Sequence, residues 1–184
     1  MTTRRHFLAG TAALAVLPSA ARAATSADTA ALTLLDRHAD ALLAAYPESA
    51  AYLGLDTGKH ADLKARLTDR SMAAEAARRI DAARRVAELT TIDRASLSPT
   101  VATHVETVAA AHEIALDGWR RMPVGDMAVI SNNNFRSTPY VVTQGNGAFV
   151  DTPDLLENKH TVATSADAEA YLCLLYTSPS PRDS

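Results

Sequence analysis

Three histidines have neighbours that could do chemistry. His112-Glu113 begins as a zinc-hydrolase helix does, with one imidazole ligand and a carboxylate able to polarise water. That chemistry needs a second histidine one turn later, so that both ligands share a helix face. The later position holds Leu116, and His104, eight residues before His112, is offset around the helix. His38 lies at the edge of an apolar stripe, where a satisfied core-edge imidazole is expected. Gly145-Asn146-Gly147 is too short for a phosphate-cradling loop, and no Gly-x-Ser-x-Gly elbow presents a serine nucleophile. The remaining polar cluster is Asn132, Asn133, Asn134, Arg136, Tyr140 and Gln144. Amides and a guanidinium of this kind orient a ligand in a cleft, or else hydrogen-bond a loop to itself. Asn134, Arg136, Tyr140 and Gln144 are the candidate substrate-binding residues, and no metal ligand or catalytic residue is assigned.

The elements that must position these residues read as helices. Ser26 or Asp28 opens a helix to about Tyr46, with Leu32, Leu35, Ala39, Leu42, Leu43 and Tyr46 as its apolar stripe. Pro47-Glu48 starts a short helix that Gly54 closes, and Leu55 to Arg70 reads as loop. A third helix spans about Ser71 to Leu89, with Met72, Ala76, Ile80, Ala83 and Ala87 expected to be buried. Its arginines Arg78, Arg79, Arg84 and Arg85 alternate with acids, as on a solvated face. Ser98-Pro99 starts a fourth helix to about Arg121, with a stripe of Val101, Val105, Val108, His112, Ala115 and Trp119.

Pro139 to Val162 departs from this pattern. Tyr140-Val141-Val142 favours extended backbone, Gly145-Asn146-Gly147 a tight turn, and Ala148-Phe149-Val150 a second extended run. Thr152-Pro153 then reads as a helix start, and Ser165 as the cap of a last helix. The expected fold class is mainly α: a helical domain fragment with one short hairpin-like or irregular segment near 138–151.

The two ends carry different signals. Arg4-Arg5 precedes Phe7-Leu8, an apolar run to Leu17, Pro18 and the small-x-small site Ala21-Arg22-Ala23. This arrangement resembles a bacterial Tat signal peptide over 1–23, with cleavage between Ala23 and Ala24. It implies passage through the Tat translocon to a periplasmic or secreted location. The run from Cys173 to Asp183 coincides residue for residue with the translation of a transposase sequencing adapter. Residues 173–184 are therefore expected to be an adapter-derived scar, leaving 24–172 as the helical part; the other reading is a natural Ser/Pro-rich tail. The single cysteine lies in that run, which argues against disulfide or thiolate chemistry in the rest. The formal net charge is −3, and losing the three leader arginines makes the remainder more acidic. With no basic face to neutralise phosphates, nucleic acid is not an expected partner.

Tyr46-Pro-Glu-Ser-Ala-Ala-Tyr-Leu-Gly-Leu55, the run Pro139 to Leu156 and Asp167-Ala-Glu-Ala-Tyr-Leu172 resemble, in order and spacing, the bacterial domain of unknown function 885 family. The resemblance runs from about Leu32 to Leu172. It implies a largely helical, exported protein, longer than this chain, with a zinc-metallopeptidase-like His-Glu-x-x-Pro-Gly-His-His type motif in its C-terminal half. Nothing here matches that motif. The resemblance therefore implies no cofactor in this portion and zinc in the full-length protein. Its implied partners are the missing C-terminal half and a peptide or small-molecule substrate. The other reading is a stand-alone periplasmic helical binding or scaffold module without catalysis.

Overall fold

A computed structural model describes residues 26–123, 127–130, 140, 142, 144–145 and 147–177. Six α-helices occur among them: α1 (Ser26–Ala45), α2 (Pro47–Leu53), α3 (Met72–Thr90), α4 (Pro99–Arg121), α5 (Ala148–Asn158) and α6 (Ser165–Thr177). A 3₁₀ segment, Gly58–Ala65, links α2 towards α3 in place of the expected loop. There is no strand among the described residues, and the chain is mainly α.

The boundaries follow local chemistry. Ser71 caps α3 by accepting a hydrogen bond from the Ala74 amide. Proline occupies the first turn of both α2 and α4, where its missing N–H costs nothing. Gly54 closes α2 in the left-handed region at φ 68°, where a Cβ would be strained. Asp28 is buried in the first turn of α1, and its Oδ1 accepts from the Ser98 amide at 2.8 Å, tying α1 to the start of α4.

α3 and α4 pack most extensively, and they run antiparallel. At one end Leu89 meets Val101 and Val105, with Ala31 of α1 completing the cluster. At the other, Ala82 meets Ala115 and Trp119, with Met127 closing over them. Leu43, Ala50 and Leu63 join α1, α2 and the 3₁₀ segment. Leu155, Leu156 and Leu174 hold α5 to α6, packed on Ala51, Tyr52 and Leu67. Polar bonds fix the same region. Lys64 Nζ lies 3.1 Å from Asp167 Oδ1, with both side chains largely buried, and Tyr52 donates to Asp154 Oδ2 at 2.5 Å.

Four expectations change here. The buried face of α3 is Ala82, Arg85 and Leu89, and the expected stripe points to solvent. Alanine is frequent all round this helix, so apolar spacing alone does not mark the inner face. On α1 the inner face is Asp28, Ala31, His38, Leu42 and Leu43, while Leu32 and Ala39 are exposed. Ala148 to Val150 are helical, so the second extended run is absent and Thr152-Pro153 lies inside α5. The Gly147 carbonyl accepts from the Val150 and Asp151 amides, and the helix brings Thr152, Leu155 and Leu156 onto one buried face. Lastly, α6 does not end at Leu172. It continues to Thr177, because Leu174 falls one turn beyond Tyr171 and is only 2% exposed against Leu155 and Leu156.

The corrected face of α3 makes a prediction. Leu89→Ala should lower the unfolding free energy by roughly 2–5 kcal/mol, the range for a truncated core leucine. Ile80→Ala should change it by less than about 0.5 kcal/mol. Urea denaturation of the two variants checks this.

Candidate functional site

Of the predicted substrate-binding residues, only Tyr140 and Gln144 are described. Asn134 and Arg136, like the expected leader and its expected cleavage site at Ala23-Ala24, lie outside the described residues. Tyr140 is 66% exposed and Gln144 is also exposed.

Two histidines are brought together instead. His38 of α1 and His112 of α4 are buried, with ring centroids 6.4 Å apart. His38 Nε2 donates to Glu88 Oε2 at 2.8 Å. His112 Nδ1 donates to the Val108 carbonyl at 2.7 Å, since a carbonyl can only accept. This leaves His38 Nδ1 and His112 Nε2 buried without a hydrogen-bond partner among the described residues. Arg85 is buried beside them, and its nearest carboxylate oxygen is Asp81 Oδ2 at 3.9 Å. Burial is the main force lowering its pKa. His104, also on α4, is exposed.

This node does not fit zinc. Among the described residues no three His, Cys, Asp or Glu side chains gather as a metal would require. The Glu88 carboxylate is already occupied by His38 and by Arg84, which donates at 2.8 Å. A buried guanidinium also opposes a divalent cation.

Among the described residues an open cleft of about 560 Å³ lies on the α3–α4 pair. Arg79, Glu113, Leu116, Trp119 and Arg120 line it. Trp119 is 2% exposed and donates from Nε1 to Glu75 Oε1 at 2.5 Å. The Arg79 guanidinium lies over its ring, 6.0 Å from the centroid. Among the described residues Arg79 reaches a single weak acceptor, the Pro123 carbonyl at 3.5 Å, and its Nε is buried without a partner. Arg120 bonds Asp117 at 2.6 Å, a carboxylate it shares with Arg121 at the same distance. Of the residues of this cleft the sequence points only to Glu113, and for a zinc motif that Leu116 breaks. Arg79 read as one charge of a solvated face, because Glu75 four residues earlier looked like its partner.

The profile of the bacterial family of proteins of unknown function DUF885 matches residues 47–180, and the chain belongs to that family. No curated protein and no solved structure matches the chain.

The buried node sets a pH dependence. Desolvation holds the His112 imidazole below its ordinary value, only partly opposed by the Val108 carbonyl, with Arg85 and His38 pushing further down. The unfolded chain therefore binds a proton that the folded chain refuses. Stability is full above the ordinary histidine value of about 6.5 and falls as pH drops through it. Glu88 acts in a lower window. His38 and Arg84 hold its carboxyl below the usual range, so its contribution is lost only as pH falls beneath about 4.5. Urea unfolding at pH 7.5, 6.5 and 5.5 should show weakening towards pH 5.5, and His112→Gln should flatten that slope.

Proposed function

We propose that this chain is the helical N-terminal portion of an exported, metal-dependent hydrolase of peptidase type, and that the outer face of α3 is covered by the rest of that protein. The observation behind this reading is the face itself. Met72, Ala76, Ile80, Ala83 and Ala87 repeat at helical spacing and all are exposed, Met72 at 79% and Ile80 at 70%. Scattered exposed apolar residues are ordinary, but a continuous stripe marks a surface that gains by being covered. Burying one side chain the size of isoleucine or methionine is worth about 1.5–3 kcal/mol. The ion pairs of the helix keep off this stripe: Arg84 bonds Asp81 at 3.0 Å and Glu88 at 2.8 Å.

The rest of the reading comes from the sequence. The twin arginines and the Ala21-Arg22-Ala23 site support Tat export, and the family resemblance supplies the zinc-hydrolase class, with its motif outside this chain. No catalytic step is assigned to the described residues. Their role is to wall the substrate site.

The test is the whole reading frame of the source gene, expressed and purified. Elemental analysis should find about one zinc per chain. Peptidase activity on a peptide mixture should vanish on chelation and return with zinc. The thiol introduced by Met72→Cys should resist labelling in that protein and react readily in 24–172. A whole protein that binds no metal and leaves this introduced thiol reactive would sink the proposal in favour of the stand-alone helical module.

A further inference from the structure

We propose that the α3–α4 cleft is a binding site for a small zwitterion, an α-amino acid or a short peptide with free termini and an apolar side chain. The inference does not rest on the hydrolase reading, because it uses only residues of the described helices.

The charges of the cleft carry the argument. Of its four polar or charged side chains, two already have partners: Trp119 in Glu75, and Arg120 in Asp117, which Arg121 shares. The other two are opposite in sign and available. Among the described residues Arg79 makes no ion pair, and Glu113 makes neither an ion pair nor a side-chain hydrogen bond. The two line one cavity and do not pair with each other. A guanidinium held over an indole keeps its outward N–H groups for a carboxylate. A carboxylate accepts from an ammonium in the same way. The rest of the lining includes Leu116 and Trp119, of which Trp119 is only 2% exposed. A molecule that carries a carboxylate and an ammonium, with an aliphatic or aromatic side chain beside them, satisfies all three. The cavity, at about 560 Å³, lies within the size range of small-molecule sites.

The site is also pre-formed. Trp119 cannot turn without breaking its bond to Glu75 and leaving the packing of Ala82, Ala115 and Met127. Arg79 is confined by the ring beneath it and by the Pro123 carbonyl. At these two side chains little ordering entropy remains to be lost on binding.

Trp119 is the only tryptophan, so its fluorescence reports on the cleft directly. The full chain would be titrated with leucine, leucyl-leucine, N-acetyl-leucyl-leucine and leucyl-leucine amide, by fluorescence and by calorimetry. Leucine or leucyl-leucine should bind saturably at one site, and comparing them separates amino acid from peptide. The acetylated and amidated forms should each bind at least about tenfold more weakly, a loss of about 1.4 kcal/mol. Arg79→Gln should weaken the free peptide but not the amide. Glu113→Gln, at an exposed position that folding does not need, should weaken the free peptide but not the acetylated form. Equal affinity for all three dipeptide forms, loss with only one blocked terminus, or no binding of any ligand would overturn the proposal. None of these outcomes depends on zinc, so the metal test above stands or falls separately.

Discussion

The bond from Trp119 to the Glu75 carboxylate is the constraint on which the α3–α4 pair depends. It joins the last turn of α4 to the first turn of α3, at the end of the pair away from Leu89 and Val105. The ring is large and nearly fully buried, and its one polar group must find a partner when desolvated. Glu75 supplies that partner, and so fixes how far the helices slide past each other. Gly118 is the second part of this device. A Cβ there would lie 2.5 Å from Met127 Sδ, so any other residue would require the Met127 side chain to shift from its place against the indole.

Away from that end, small side chains do the packing. Ala31, Ala50, Ala82 and Ala115 are almost fully buried, each where two elements touch. Alanine loses no side-chain entropy on burial and lets backbones approach closely. It also contributes little apolar area, so polar fastenings supplement it. Asp28 ties α1 to α4, and Glu48 accepts from the Thr68 amide at 2.9 Å. Asp167 holds Lys64 and also accepts from the amides of Ala163 and Thr164, capping α6. Lys64 is the main reason that its carboxyl titrates far below the usual range.

The contrast between legible and illegible helices has a physical origin. α4 could be read in full because valines and a tryptophan stand out against threonines and charges at a 3.6-residue period. α2 could be read because proline and glycine bracket it. α3 could be read in its length and cap but not in its orientation. Alanines on every side remove the contrast, and a packed Arg85 lies where a periodic reading puts solvent. α5 was obscured by local preference: Phe149 and Val150 suit extended backbone taken alone, yet tertiary burial of Thr152, Leu155 and Leu156 prevails. The candidate site was illegible for a related reason. Its charges are common surface residues, and their importance lies in which partners they fail to find.

That failure traces back to the same carboxylate. By sequence spacing Glu75 belongs to Arg79, one turn along α3. In the fold both its oxygens are claimed elsewhere, one by the Trp119 indole and the other by Arg78 at 2.7 Å. Arg79 is left above the ring with its charge unanswered by any described residue. The buried node of His38, Arg85 and His112 also holds unanswered polar atoms, but it is enclosed between α1, α3 and α4 and is felt only as stability. At the cleft the same kind of mismatch opens to solvent, where a diffusing molecule can resolve it. The interaction that fixes the helix pair is therefore also the one that sets an available guanidinium in the same cleft as Glu113, which is why a structural tryptophan and a binding cleft occupy the same place.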